Sequence, residues 1–107
     1  MPESISEVRR RHQGHWFDVD TMRFFSSRIS EVAYRTADGA RSYFVSSERQ
    51  TIADNFPRLY SVRVQDIATG DIETAGTFQG YHSSRAAQKA AEALSKVDHK
   101  IIRGERI

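Results

Sequence analysis

The chain has 107 residues, 38% hydrophobic and 28% charged, which suits one soluble domain with one modest core. It has no cysteine, which excludes disulfides and thiolate-ligated zinc, and no apolar run approaching the ~18–20 residues of a membrane-crossing helix. Its 16 basic and 14 acidic residues leave a formal charge of +2, spread nearly evenly along the chain, whereas a dedicated nucleic-acid binder usually shows a basic stripe.

Of the basic residues, 13 are arginine, the side chain suited to bidentate contacts with phosphate or guanine. The absence of cysteine fits a reducing cytoplasm. The first stretch, "MPESISEVRRRHQG", has no apolar segment of the kind that directs secretion. Ile5 and Val8 are spaced for a single helical turn, but no further apolar residue continues the stripe. Residues 1–14 are therefore expected to be a flexible basic arm carrying Arg9, Arg10 and Arg11.

"HWFDVDTMRFFSSRI" has clearer organisation. Asp18 is placed to cap a helix and Asp20 sits in its first turn, where the helix dipole favours an anion. Phe17 and Met22 flank the cap as a hydrophobic staple, and Met22, Phe25 and Ile29 make one stripe. The spacing predicts a short helix over about 19–27.

Two hairpins follow. Asp38-Gly39 separates two β-rich runs, with Val32 and Tyr34 on one face and Tyr43 and Val45 on theirs. Pro57 closes the connection "RQTIADNFPRL". In the next run Tyr60, Val62 and Val64 alternate towards the core. "ATGD" makes the turn, and a strand over 72–80 sends Ile72 and Phe78 inward. A final helix begins at Ser83 or Ser84, with Ala87, Ala90, Leu94 and Val97 as its apolar stripe. Residues 98–107 read as a tail. The expected fold is α+β: one domain over 1–107, with a four-stranded antiparallel sheet and a short N-terminal and a C-terminal helix packed on one face.

The residues offer little chemistry. His12 and His15 lie three apart, but a metal site needs a helical arm and a third ligand, and Gly14 between them weakens a helix. No metalloprotease, nucleophile-elbow or phosphate-loop motif occurs. Asp18 and Asp20 are explained by capping. The expectation is a non-enzymatic protein without metal or cofactor. Most of the 11 aromatic residues fall on core positions; Phe24 and Phe44 lie off their neighbours' stripes and suit a protein interface. The second sheet face should carry Glu31, Arg35, Ser42, Ser46, Ser61, Arg63, Gln65, Glu73, Thr77 and Gln79, with solvent outside it.

One stretch carries a family resemblance. "VRVQDIATGDIETAGTFQGYHSSRAAQKAAEAL" resembles the sheet-plus-helix of AP2-type and integrase arm-binding domains, through Asp66, Gly70, Gly76-Thr77-Phe78 and the alanines at 86, 90 and 93. Such domains lay the sheet in the DNA major groove. The resemblance therefore implies that Arg63, Gln65, Glu73 and Thr77 touch bases or phosphates, although this strand is not arginine-rich. The same stretch is similar to the end of a double-stranded-RNA-binding domain, but Ser83, Ser84 and Ala87 stand where that family has its phosphate clamp. "HWFDVDTMRFFSSRI" with "YFVSSE" resembles small proteins of bacteriophages and mobile elements, which implies a setting and no activity.

Two functions remain open. In the first, the sheet binds double-stranded DNA: Arg63 and Gln65 read bases, while Arg35, Thr77, Arg85, Lys89, Arg9, Arg10 and Arg11 complete the contact surface. In the second, the chain is a protein-interaction module that inhibits or modulates a host protein, possibly as a homodimer joined through an edge strand. The near-even charge favours the second and the AP2-like pattern the first.

Overall fold

The computed structural model describes residues 2–14, 16–24, 27–49 and 58–97. Among them lie six strands, β1 (Pro2–Ser4), β2 (Arg28–Ile29), β3 (Val32–Arg35), β4 (Arg41–Arg49), β5 (Arg58–Asp66) and β6 (Ile72–Thr74). Three helices accompany them: α1 (Ile5–Arg11), α2 (Val19–Phe24) and α3 (Ser84–Val97). The strands make one antiparallel sheet in the order β1-β3-β4-β5-β6, with β2 also paired to β4. The α+β class and the antiparallel sheet agree with the sequence. The strand number does not: β1 and β2 add to the four expected, because short polar segments can pair with an edge without any alternating apolar pattern to announce them.

Turn chemistry is where the sequence is most literal. Gly39 takes φ +71°, and the Asp38 carboxylate accepts from the Ala40 amide at 2.9 Å and the Thr36 hydroxyl at 2.6 Å. These hydrogen bonds, the Thr36 one foremost, hold the Asp38 carboxyl below its ordinary range. Asp18 caps α2 as expected, accepting from the amides of Asp20 (2.8 Å) and Thr21 (3.3 Å). Ser83 caps α3, its hydroxyl accepting from the Ala86 amide at 3.1 Å.

The two faces of the sheet carry separate cores. On one, Tyr43, Val45, Val62 and Val64 meet Ala87 and Ala91 of α3. Small residues bring this helix close to the strands. The buried line along it is Ala87, Ala91 and Ser95. Ala90 and Leu94 only flank that line, and Val97 is 54% exposed, so the expected stripe is rotated by part of a turn. On the other face Phe44, Ala33 and Val8 are fully buried, with Ile5, Trp16, Phe17, Ile29 and Ile72 against them. The helices thus lie on both faces, and the one-face expectation is corrected. Residues 2–11 form a strand and a helix rather than an arm with one turn. Besides Ile5 of its own helix, Val8 finds its apolar partners on the sheet, in Ala33 and Phe44. Phe44, expected off the core, is at the centre of this second cluster. Residues 98–107, read as a tail, lie outside the described residues, as do His15, Phe25 and Pro57.

Candidate functional site

The second sheet face was expected to be open; instead it is covered and internally hydrogen-bonded. Gln65 shows why. Its side chain is fully buried, its amide nitrogen donates to the carbonyls of Val8 (3.1 Å) and Gly70 (3.0 Å), and its oxygen accepts from Arg11 Nε at 2.9 Å. One side chain therefore ties α1 to β5 and to the turn before β6. His12 Nδ1 lies 2.9 Å from the Gly70 carbonyl, at the same junction. Gly70 itself has φ +82°, and a Cβ there would stand 2.2 Å from the Arg11 carbonyl oxygen, so only glycine allows α1 to end where it does.

A second polar group seals the β1 side. Glu3 accepts two hydrogen bonds from Arg11, at 2.5 and 3.2 Å, and one from the Ser42 hydroxyl at 2.5 Å, with Arg35 Nε 3.9 Å away. Burial raises the Glu3 carboxyl, but the Arg11 and Ser42 hydrogen bonds with the Arg11 and Arg35 charges outweigh it and hold the group below the ordinary carboxylate range.

The opening in this cover lies at Arg63. Register puts Arg63 opposite Phe44 on β4 and Thr74 on β6. Its Nε donates to the Ser46 hydroxyl at 2.9 Å and its Nη1 to the Thr74 hydroxyl. The guanidinium carbon stands 5.2 Å from the ring centres of both Trp16 and Phe78, so two aromatic faces flank the cation. Glu48 follows on the same face of β4, its Oε2 3.8 Å from Arg63 Nη2. Burial lifts the Glu48 carboxyl above its ordinary range, and the Arg63 charge, the Ser46 hydroxyl and the Arg58 charge only partly oppose this. Burial likewise lowers Arg63, against the pull of Glu48. Trp16, Thr21, Ser27, Glu48, Arg63 and Phe78 line a cavity of about 240 Å³.

Phe78 reaches this cavity because the last strand stops early. After Ala75, whose amide still donates to the Val62 carbonyl at 2.8 Å, the chain bulges: Gly76 takes φ +86° and Gln79 φ +56°, and the backbone rejoins β5 at the Tyr60–Tyr81 bridge. The Ser61 hydroxyl accepts from the Gln79 amide at 2.7 Å and fixes the bulge. Phe78 is left 54% exposed at the cavity mouth instead of inward, and Ile72 packs on the α1 side instead of the α3 side.

The residues nominated for DNA contact do not share one surface. Gln65 is interior, Arg63 is enclosed between rings, and Arg11 is committed to Glu3 and Gln65. Arg35 lies beside Glu3. Arg9 and Arg10 are exposed on α1, Arg10 pairing with Glu7 at 2.8 Å, while Arg85 and Lys89 are exposed on α3 across the sheet. Thr77 is in the bulge, and Glu73 faces away from Arg63 because it pairs with Val64. The face that an AP2-type domain would lay on DNA is thus occupied by α1, Trp16 and Phe17. Glu48 was not among the nominated residues, and Trp16 and Phe78 were assigned to the core. The available signal was Phe44, a large apolar side chain among Ser42, Ser46 and Arg63, which required a covering layer.

No helix among the described residues is long and apolar enough to cross a membrane. No curated protein and no solved structure matches the chain. Residues 3–92 match a family of unknown function, DUF7447, and that span contains β2 to β6, the buried residues of both cores and every residue lining the cavity. A match over this much of the sequence assigns the chain to the DUF7447 family.

Proposed function

We propose that the protein is a non-enzymatic interaction module whose partner is another protein, engaged at the cavity between Trp16 and Phe78. The observation that carries this reading is the exposure of Phe78, held at the cavity mouth by a bulge with left-handed backbone at Gly76 and Gln79. A non-glycine residue in that conformation costs of order 1–3 kcal/mol and persists at ligand clamps when the surroundings enforce it. Tryptophan, arginine and phenylalanine around one hollow are also the composition of interface centres, where a few such anchors supply most of the affinity. The dispersal of the exposed basic residues over two faces favours this reading over duplex recognition, which needs a continuous basic surface.

The test compares wild type with Phe78→Asp, a change at an exposed position, in samples whose fold is checked by circular dichroism. A protein recovered by wild-type affinity capture, once purified, should bind wild type directly and lose at least tenfold in affinity with Phe78→Asp. Random duplex DNA at about 50 mM salt should bind neither. Salt-sensitive duplex binding that survives Phe78→Asp would overturn the reading. Concentration-dependent dimerisation abolished by the same substitution would identify the partner as a second copy.

A further inference from the structure

The floor of the cavity sets a cation and an anion side by side, with their hydrogen bonds incomplete among the described residues. A guanidinium has five N–H groups. In Arg63, Nε is used by Ser46 and one Nη1 hydrogen by Thr74, while Nη2 faces Glu48 Oε2 across 3.8 Å, beyond hydrogen-bond reach. Glu48 Oε1 is buried with no hydrogen-bond partner among the described residues. An enclosed donor and acceptor in this state are costly, and a group that completes both is favoured there.

The chemistry of that group follows by elimination. An anion accepts from Arg63 but meets the Glu48 carboxylate. A cation donates to Glu48 but meets the guanidinium. A purely apolar group fits the rings and seals both polar atoms without partners. A neutral group with an N–H donor beside a carbonyl acceptor satisfies the pair together, the N–H on the Glu48 carboxylate and the carbonyl on Arg63. It is also planar, which suits a cavity lined by the rings of Trp16 and Phe78. We propose that this cavity is a receptor for a primary carboxamide. The inference deepens the protein-partner reading and rests on it for the source of the amide, an asparagine or glutamine side chain that the partner inserts.

Trp16 is the only tryptophan in the sequence, so its fluorescence and indole N–H resonance report on the cavity alone. The full chain is titrated with benzamide, benzoate and benzamidine, three probes of one shape carrying a neutral, a negative and a positive head. Benzamide should saturate, shifting the Trp16 indole and Arg63 Nε–H signals, with the two charged probes at least tenfold weaker. Glu48→Gln removes the anion and keeps the shape, and should raise the affinity for benzoate relative to benzamide by tenfold or more. Capped glutamine or asparagine should compete with benzamide, and capped glutamate should not. Equal binding of the three probes, or no saturation with any of them, would overturn the carboxamide assignment while leaving a partner docked on Phe78 possible. Benzamide binding that capped amides never displace would overturn the partner as its source. Loss of partner binding in Phe78→Asp tests the broader reading separately, because that residue makes no hydrogen bond to the amide.

Discussion

The two faces of the sheet bury side chains by different means. Under α3 the contact is apolar and close, with alanines against tyrosine and valines. Under α1 an aromatic cluster shares its face with Ser42, Ser46, Ser61, Gln65, Glu3 and Arg63, most of them enclosed. The first face tolerates imprecision, since apolar burial is non-directional and roughly proportional to area. The second depends on each donor meeting its acceptor, because a polar group buried without a partner costs roughly 1–3 kcal/mol. A polar interior of this kind fixes where α1 and the Trp16–Phe17 segment sit, and therefore where Trp16 stands beside Arg63.

That contrast predicts unequal responses to substitution. The largest should come from Arg63→Ala. Removing one member of an enclosed ion pair typically costs about 3–5 kcal/mol, since the other is left without compensation. Two aromatic rings also lose the cation between them. Urea denaturation should show a large fall in midpoint. A surface arginine paired across a hairpin would contribute only about 0–1 kcal/mol.

Gly70→Ala comes next. The added methyl meets the Arg11 carbonyl and the left-handed φ opposes any side chain, so about 2–3 kcal/mol should be lost, with α1 amide resonances the first to move. Gln65→Leu keeps the volume but removes one of two donors from each of the Val8 and Gly70 carbonyls, which keep His12, and takes the acceptor from Arg11 Nε. About 2 kcal/mol is expected. On the α3 face, Leu94→Ala should cost only about 1–2 kcal/mol because Leu94 flanks the buried line of Ala87 and Ala91. An ordering in which Leu94 exceeded Gln65 would mean that the apolar face, not the polar one, dominates stability.

The smallest effect is the dependence on pH, and its sign differs between two carboxylates of the second face. Glu3 has a lowered value in the folded protein, so its contribution is present above the unfolded value of 4.5 and fades as pH falls through the folded one. Glu48 has a raised value, so its contribution is present below 4.5 and is lost as pH rises through the folded value. Acidification from neutral pH should first relieve Glu48 and then weaken Glu3. Stability profiles of Glu48→Gln and Glu3→Gln should each lose one of these two phases.

What the sequence made legible divides along the same line. Asp38-Gly39, the Asp18 cap and the Tyr60-Val62-Val64 alternation are local signals, and each appears where it was expected. The second face depends on distant partners. Nothing near Gln65 in the chain indicates that the Val8 carbonyl will meet it, and nothing near Val8 indicates Phe44. A polar strand face has the same pattern whether water or a hydrogen-bonded layer covers it. The cavity was hidden for a related reason: alternation puts Ile72 and Phe78 on one face without saying which layer covers it, and beyond Ala75 the chain leaves β5, so Phe78 stands exposed beside Arg63.

The central claim, that the second sheet face is a closed polar interior, is tested most directly by hydrogen exchange at the Gln65 side-chain amide. The account predicts that its two protons exchange as slowly as the backbone amides of β5, and that the His12 amide, bonded to the carbonyls of Val8 and Arg9, is protected with them. Exchange of the Gln65 amide at the rate of a free glutamine would contradict it and would return that face of the sheet to solvent.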